Sequence, residues 1–361
     1  MTSESTRTIR VLQILHTHER GGILTLASMI ETGLTARGCY VETEFLFRTP
    51  ERSGAGKLAD ALRMALRLLR GGYDALIAYQ ATASILVGLF GWLKGCPVRM
   101  VHQTAVPSAT APYLRLADKI AGSIGLYTAN VVNTRFTFDL FRPYPSAYRR
   151  RLVLNEHGID VLAPTQNRHA TRAQFAIPQN ARVLLNVGRL VNQKNQSVIV
   201  KALRKIPDCV FIVAGHGDDA EDLMSLAKNE GVAERVHLLG ALSLADIANL
   251  YAASDVFVFP SIWETFGLAA AEAAISGIEM IVSDIDVLRE VLASDRSPVV
   301  FVRKDDVAAW ARAIENALDH PVSRERLNAF SREVAERYSV QRMIDRYCQI
   351  LGMPTTGTSD G

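Results

Sequence analysis

Short runs of leucine and β-branched residues alternate with longer amphipathic stretches along most of the chain. In the first half, examples are "IRVLQILH" (9–16) and "VRMVHQT" (98–104), and a second series runs from "RVLLNVGRL" (182–190) to "EMIVSDI" (279–285). Repeated βα units predict parallel sheets that are covered by helices on both faces. The sequence therefore predicts an α/β protein of two Rossmann-like domains facing across a cleft, with ligands at the carboxyl ends of the strands.

The length of 361 residues suits two domains of ordinary size. Residues 160–180 are rich in Pro, Asn and Gln and show little periodicity, so we interpret them as a linker with an entry helix. We place the first domain at residues 1–163 and the second at 164–340. Residues 341–361 then hold a C-terminal helix, with a crossing back to the first domain as one option, and a frayed tail.

Composition excludes several classes of protein. No apolar run reaches the roughly 18 to 20 residues that span a bilayer, and the polar start "MTSESTRTIR" is unlike a signal peptide. Cys39, Cys96, Cys209 and Cys348 are widely separated, without CxxC pairs or histidines at zinc spacing. This pattern favours a protein of the reducing cytoplasm.

Charge is distributed unevenly between the two halves. Residues 1–165 carry 19 Lys and Arg against 12 Asp and Glu, whereas the remainder carries 21 against 25. A basic first half suits an anionic partner such as a membrane surface, a lipid pyrophosphate or a nucleic acid. Because aromatic residues are not interleaved with the basic ones as in single-strand binders, we expect no nucleic-acid partner.

The stretch "SIWETFGLAAAEAA" (261–274) carries two glutamates, Glu264 and Glu272. The preceding "DVFVFPS" predicts a strand, and the Ala-rich run predicts a helix that ends at Gly277. At about 1.5 Å per helical residue, the two carboxylates are too distant to share a proton and poorly placed to chelate one metal. The helix N-terminus between them suits phosphate. The stretch fits a ligand with hydroxyls at both ends and phosphates between. The alternative is a buried Ala-rich helix with one exposed glutamate and one N-terminal glutamate that the helix dipole favours.

The segment E-T-F-G-L-A-A-A-E within this stretch resembles the E-x7-E signature of family 4 retaining glycosyltransferases, which have the GT-B fold. The resemblance implies that Glu264 faces the hydroxyls of the donor sugar and Glu272 those of the ribose. It also implies that backbone amides lie along the sugar and the phosphates, namely those of Thr265, Phe266, Gly267 and Leu268.

Two further segments resemble donor-binding elements of the same family. In "NVGRLVNQKNQ" (186–196), Arg189 and Lys194 can converge on a diphosphate from one loop, as in the family's G-R-x-x-x-x-K element, although solvated basic residues are the alternative. Asn195 departs from the glycine that the family usually has. In "HERGGILTL" (18–26), Gly21 and Gly22 resemble a Gly-Gly loop that reaches the donor phosphate, although ordinary βα turns use glycine too.

Other landmarks of the family are less specific. His102 ends a predicted strand where the family commonly has a histidine close to the donor sugar, although a lone histidine is more often structural. In "LLGAL" (238–242), the resemblance implies that the backbone of Gly240, Ala241 and Leu242 meets the nucleobase. In "LNEHGID" (154–160), His157 replaces the usual Asn, which puts any role of that loop in doubt.

The segment Asp284-Ile285-Asp286 is formally a DxD motif, which holds a divalent metal in GT-A glycosyltransferases. Here it follows the E-x7-E helix, and we interpret it as a loop that caps a helix starting near Leu288. We therefore expect neither a metal nor another cofactor.

A candidate amphipathic helix occupies "KLADALRMALRLLRGG" (57–72). Arg63, Arg67 and Arg70 fall on one basic stripe beside a leucine face, which suits peripheral contact with an anionic membrane. The alternative is a core-packed Rossmann helix with solvated arginines, which we favour slightly.

Taken as a whole, the resemblance implies a hexosyltransferase that moves a sugar with retention from a UDP- or GDP-sugar to an acceptor hydroxyl. The acceptor would be a saccharide or a lipid-linked one in envelope, exopolysaccharide or lipopolysaccharide biosynthesis, at or near the inner face of the membrane. The alternatives are a GT-B nucleotide-sugar epimerase and a transferase with a small-molecule acceptor. A dinucleotide-dependent oxidoreductase would need GxGxxG after the first strand, which "HERGGI" does not supply.

Overall fold

The computed structural model describes residues 7–17, 22–48, 54–160 and 163–353. The chain divides into two compact units. One contains the residues up to Gly158 together with those from Val340 onward, and the other is Ile159–Ser339. The sequence placed the corresponding boundaries at 163/164 and 340/341.

The first unit is built on a six-stranded parallel sheet in the order β2-β1-β3-β4-β5-β6. Its strands are β1 (Arg10–Leu15), β2 (Tyr40–Phe45), β3 (Ala75–Tyr79), β4 (Val98–His102), β5 (Ala129–Val132) and β6 (Leu152–Leu154). Between them lie the helices α1 (Gly22–Thr35), α2 (Gly54–Arg70), α3 (Ala81–Leu93), α4 (Pro112–Ser123), α5 (Arg135–Asp139) and α6 (Ser146–Arg149).

The second unit repeats this plan with a six-stranded parallel sheet in the order β12-β11-β10-β7-β8-β9. Its strands are β7 (Arg182–Val187), β8 (Cys209–Ala214), β9 (Val236–Gly240), β10 (Val256–Phe259), β11 (Glu279–Ser283) and β12 (Val300–Val302). Its helices are α7 (Arg168–Gln174), α8 (Gln196–Leu203), α9 (Ala220–Asn229), α10 (Leu244–Ala253), α11 (Leu268–Ser276), α12 (Asp286–Leu292), α13 (Val307–Asp319) and α14 (Arg324–Arg337). The two Rossmann-like halves confirm the predicted fold class.

The last helix, α15 (Val340–Ile350), belongs to the first unit, where it packs on α1. A Cβ atom added to Gly33 of α1 would lie only 2.5 Å from Cγ1 of Ile344, so glycine is what permits the close approach. The Arg37 guanidinium also lies 2.6 Å from the Asp345 carboxylate. The C-terminal helix is therefore an integral layer of the first unit.

The two faces of the first sheet carry different helices. Residues of β1 alternate, so that Val11 joins the core beneath α1 and α15, while Leu12 and Ile14 join the core beneath α2, α3 and α4. Met64 of α2 and Val87 of α3 supply the helical side of that second core. The three helices α2, α3 and α4 thus lie on one face, with α2 against α3 and α3 against α4.

Two of the three arginines in the predicted basic stripe on α2 are paired with glutamates, whereas Arg70 is exposed. Arg63 lies 3.2 Å from the Glu44 carboxylate, and Arg67 lies 2.5 Å from Glu42 and 2.9 Å from Glu44. Both glutamates belong to β2. The sequence did not pair these charges because strand and helix are separated by a loop. Helix α2 packs on the sheet through Met64 and Leu68, as in the favoured interpretation, but Arg63 and Arg67 are paired and not solvated. Peripheral contact with a membrane stays a prediction.

Two local predictions differ from the structure in the second unit. The short edge strand β12 was not predicted, since three residues give no readable alternation. Helix α12 begins at Asp286 and not near Leu288, and its N-cap, Ile285, makes no side-chain capping bond. The expected aspartate cap is therefore wrong.

Candidate active site

Loops from neighbouring strands of the second unit pack against one another at the carboxyl edge of the sheet. Strands β10, β7 and β8 are adjacent, so the loops that follow them meet. A Cβ atom at Gly215 would lie 1.9 Å from the Gly188 carbonyl oxygen, and one at Gly217 would lie 2.2 Å from that of Leu190. These glycines allow the loop after β8 to support the loop that carries Arg189 and Lys194.

Side-chain amides tie the loop after β7 to the loop after β10. The Gln193 amide donates to the Trp263 carbonyl at 2.9 Å, and the Ile262 N–H donates to the Gln193 carbonyl at 2.8 Å. The Asn195 amide donates to the Pro260 carbonyl at 3.2 Å. The tethering contacts of Gln193 and Asn195 were not predicted, although two side-chain amides beside a predicted basic site were the available signal.

The two loops bring Lys194 and Glu264 together. Lys194 Nζ lies 2.5 Å from Glu264 Oε1, and both side chains are largely buried, at 14% and 9% exposed. The ammonium also lies 4.8 Å from the centre of the Phe259 ring, a distance at which cation–π attraction operates. The residues predicted for phosphate and for sugar are thus direct neighbours, and each neutralises the charge of the other.

The backbone conformation at position 195 explains why asparagine can stand where the family usually has glycine. The Asn195 backbone is left-handed, with φ 52° and ψ 34°. Asparagine is one of the few residues besides glycine that adopt this conformation readily. Because its amide also bonds to Pro260 and to the Lys304 carbonyl, the substitution preserves the turn and adds a tether.

The N-terminus of α11 lies directly after Glu264. Gly267 is its N-cap, with φ 88°, and a Cβ atom there would lie 2.8 Å from Leu288. Phe266 is buried against the edge of the Tyr338 ring, at 5.1 Å between centroids. The Phe266 side chain therefore anchors the turn. The contact predicted between Phe266 and the sugar donor would be made by the backbone, beside the amides at the start of α11 that suit phosphate.

Glu272 lies one helical turn further along α11. Burial, with a smaller contribution from the negative charge of Asp160, raises the pKa of Glu272 to about 7. A carboxyl group with a pKa near 7 is unusual, and such groups occur at functional sites more often than at ordinary surface positions. Glu272 therefore changes charge in the physiological range.

The raised pKa of Glu272 predicts a stabilising substitution. The folded state favours the protonated carboxyl of Glu272. The contribution of this carboxyl to the free energy of unfolding is therefore complete below about pH 4.5 and is lost as the pH rises through 7. We expect Glu272→Gln to raise the free energy of unfolding at pH 8 by on the order of 3 kcal/mol and to change little at pH 4.5. Urea unfolding at both pH values measures this, with the exposed Glu221→Gln as the control for loss of one charge. An equal effect at the two pH values would contradict it.

The remaining predicted donor residues of the second unit lie at the same edge. The Arg189 side chain is exposed, on the loop that leads to Lys194. Gly240 ends β9 with φ 70° and forms a bridge with Gly215, so the segment with Ala241 and Leu242 adjoins the loop after β8. The structure thus brings Arg189, Lys194, Glu264 and the Gly240 segment to one edge.

In the first unit, His102 ends β4 as predicted, and its side chain is deeply buried. The ring stacks on Tyr79 at 4.7 Å between centroids, and its Nε2 lies 3.3 Å from the Tyr347 hydroxyl on α15. Burial, with a smaller effect of His157, lowers the pKa of His102 to about 3. Gly22 begins α1, whereas Gly21 lies outside the described residues.

The DxD segment holds an ion pair. Arg289 donates to both carboxylate oxygens of Asp284, at 2.5 and 2.8 Å, and Asp286 forms the first turn of α12. Within the described ranges, no three His, Cys, Asp or Glu side chains are grouped as metal ligands would be. Likewise, no described helix is both long and apolar enough to cross a bilayer.

Comparison with known proteins extends these observations. Residues 167–334 match the family model described as glycosyl transferases group 1. A D-inositol 3-phosphate glycosyltransferase of Mycolicibacterium smegmatis is 28% identical over 221 residues, 60% of this chain and 50% of that protein. An uncharacterised glycosyltransferase of Methanocaldococcus jannaschii is 28% identical over 191 residues, 52% and 48% of the two chains. The chain thus spans about half the length of these curated relatives.

Solved structures share the fold of almost the whole chain. Anabaena HepE in complex with UDP-glucose superposes with a TM-score of 0.80 at 18% identity, covering 95% of this chain and 99% of that one. Sucrose-phosphate synthase from Thermosynechococcus elongatus gives 0.79, also at 18%, covering 95% and 98%.

The family match covers residues 167–334, just under half of the chain, and the solved structures share its fold of two Rossmann-like halves. The match of residues 167–334 includes the loops that hold Arg189, Lys194 and Glu264, and the helix α11 that holds Glu272.

Proposed function

We propose that this protein is a retaining glycosyltransferase that transfers a hexosyl group from a UDP- or GDP-sugar to an acceptor hydroxyl. The observation that carries the proposal is the pairing of Lys194 with Glu264 beside the N-terminus of α11. A diphosphate needs positive charge and free amides, while sugar hydroxyls need carboxylate acceptors. Lys194 and Glu264, which two tethered loops hold beside the start of α11, support both parts of this proposal.

The chemistry follows from the charges of these loops. When the bond between the sugar C1 and the diphosphate oxygen breaks, negative charge develops on the leaving group, and Arg189, Lys194 and the amides of α11 stabilise it. The acceptor oxygen then bonds to C1 on the same face, and its proton passes to the departing phosphate oxygen. No metal or other cofactor is invoked in this scheme, and Glu272 accepts hydrogen bonds from the ribose.

For the acceptor, we propose a saccharide or lipid-linked hydroxyl bound by the first unit, in polysaccharide or lipopolysaccharide biosynthesis of the cell envelope. The excess of Lys and Arg in residues 1–165 supports an anionic or lipid-linked acceptor. The proposed location is the cytoplasmic face of the cell membrane.

Proton NMR of the anomeric region tests the transfer directly. UDP- and GDP-sugars are supplied in turn, with and without saccharide acceptors, and the first-formed product is followed. We expect release of nucleoside diphosphate with a product whose anomeric configuration is that of the donor. A product of opposite configuration would contradict retention, and an epimerised nucleotide sugar without acceptor would identify an epimerase. No turnover of a donor that the protein binds would contradict a transferase.

A further inference from the structure

Helix α2 exposes a stripe of leucines on the side away from the sheet. Leu58, Leu62, Leu66 and Leu69 follow helical spacing along one side, and Leu58 is 71% exposed. The opposite side of α2 already packs on the sheet through Met64 and Leu68. The leucine stripe is therefore additional to what the core of this unit requires.

The neighbouring helices continue this apolar surface. Leu89 and Trp92 are exposed on α3, and Leu116 and Ile120 on α4, with Trp92 at 55%. Ile124, which directly follows α4, is also exposed. Elsewhere in the described part of the chain, the exposed large apolar side chains are Tyr40, Leu244 and Val300. We call the solvent-facing side of α2, α3 and α4 the outer face. Apolar surface concentrated in this way marks an interaction site.

The charges of the outer face have one sign. The three helices contain two acidic residues, Asp60 and Asp118, and both are buried. Exposed or half-exposed basic residues remain, namely Lys57 and Arg70 on α2, Lys94 after α3, and Arg115 and Lys119 on α4. Leucine and tryptophan surrounded by lysine and arginine, without exposed acid, match the boundary between lipid headgroups and acyl chains.

We propose that the outer face of α2, α3 and α4 docks on an anionic lipid bilayer. The charge pattern favours this occupant over a second copy of the chain, because a two-fold interface would set a basic surface against itself. The proposal goes beyond the transfer reaction and does not depend on it, since nucleotide binding by the second unit is measured separately.

Vesicle flotation with the full chain tests the proposal. We expect at least tenfold stronger binding to vesicles of phosphatidylcholine with phosphatidylglycerol than to phosphatidylcholine alone. The triple variant Leu62→Ser, Trp92→Ser, Leu116→Ser should bind at least about a hundredfold more weakly, because three apolar contacts are lost. The double variant Leu244→Ser, Val300→Ser removes exposed apolar side chains elsewhere and should bind like the wild type.

Trp92 supplies a readout that does not depend on the folding of the triple variant. With anionic vesicles, its emission should shift to shorter wavelength and be quenched by lipids brominated on the acyl chains, and Trp92→Phe should abolish the shift. If the protein binds neither kind of vesicle, the proposal is overturned. An equal loss in the control double variant would also overturn it, as would a lipid-free dimer that the triple variant converts to monomer.

Discussion

Arg189→Ala is expected to lower the turnover of the nucleotide-sugar donor by roughly 10²-fold or more. Removal of one donor to a developing negative charge costs this much in other enzymes, and Arg189 is assigned that role at the leaving diphosphate. The Arg189 side chain is exposed, so its loss should leave the melting temperature nearly unchanged. Release of nucleoside diphosphate under saturating donor measures the effect.

Arg189 gives a cleaner test than Lys194, because truncating Lys194 would leave the buried Glu264 without its ion-pair partner and so destabilise the fold. Arg312→Ala, which removes an exposed arginine from α13, is the matched control and should turn over donor like the wild type. Turnover by Arg189→Ala at the wild-type rate would remove Arg189 from the mechanism.

Gly217→Ala is expected to destabilise the second unit by about 3 kcal/mol. The new Cβ would lie 2.2 Å from the Leu190 carbonyl oxygen, and its three nearest atoms all belong to the Leu190 backbone, so no flexible side chain can move to relieve this clash. Relief of the clash must move the loop after β7, which carries Arg189 and Lys194. We therefore expect both a melting temperature lower by about 6–12 °C and weaker nucleotide binding.

Gly231→Ala is the control for Gly217→Ala within the same unit. Gly231 has open space around its Cα but a φ of 70°, so alanine there meets backbone strain alone, worth about 1 kcal/mol. Calorimetric unfolding of the two variants separates strain from collision. If Gly217→Ala is no less stable than Gly231→Ala, the loops after β7 and β8 are not packed as described.

The sequence predicted the parts of the fold that depend on local pattern. Strand β7 and the helix ending at Gly277 could be predicted because alternation, alanine content and a left-handed glycine cap are local properties. The short strand β12 was missed because its three residues gain their conformation from pairing with β11.

The sequence pointed to residues that the structure brings to one edge of the second sheet, but it did not predict their contacts with one another. Lys194 and Glu264 are 70 positions apart in the chain, and only the tethering of two loops makes them neighbours. In the same way, the sequence could not foresee that Tyr347 on the last helix would cover His102, or that Glu42 and Glu44 would neutralise Arg63 and Arg67. Contacts between distant segments follow from topology, which one sequence pattern does not encode.

Thermal unfolding in the presence of UDP, GDP, ADP and TDP, each with and without Mg²⁺, tests most directly the claim that the second unit holds a nucleoside diphosphate sugar. A ligand that binds only the folded state stabilises it by RT ln(1 + [L]/Kd). We expect one of these nucleotides to raise the melting temperature without Mg²⁺, and Arg189→Ala to weaken this response. No shift with any of them at millimolar concentration would contradict this claim.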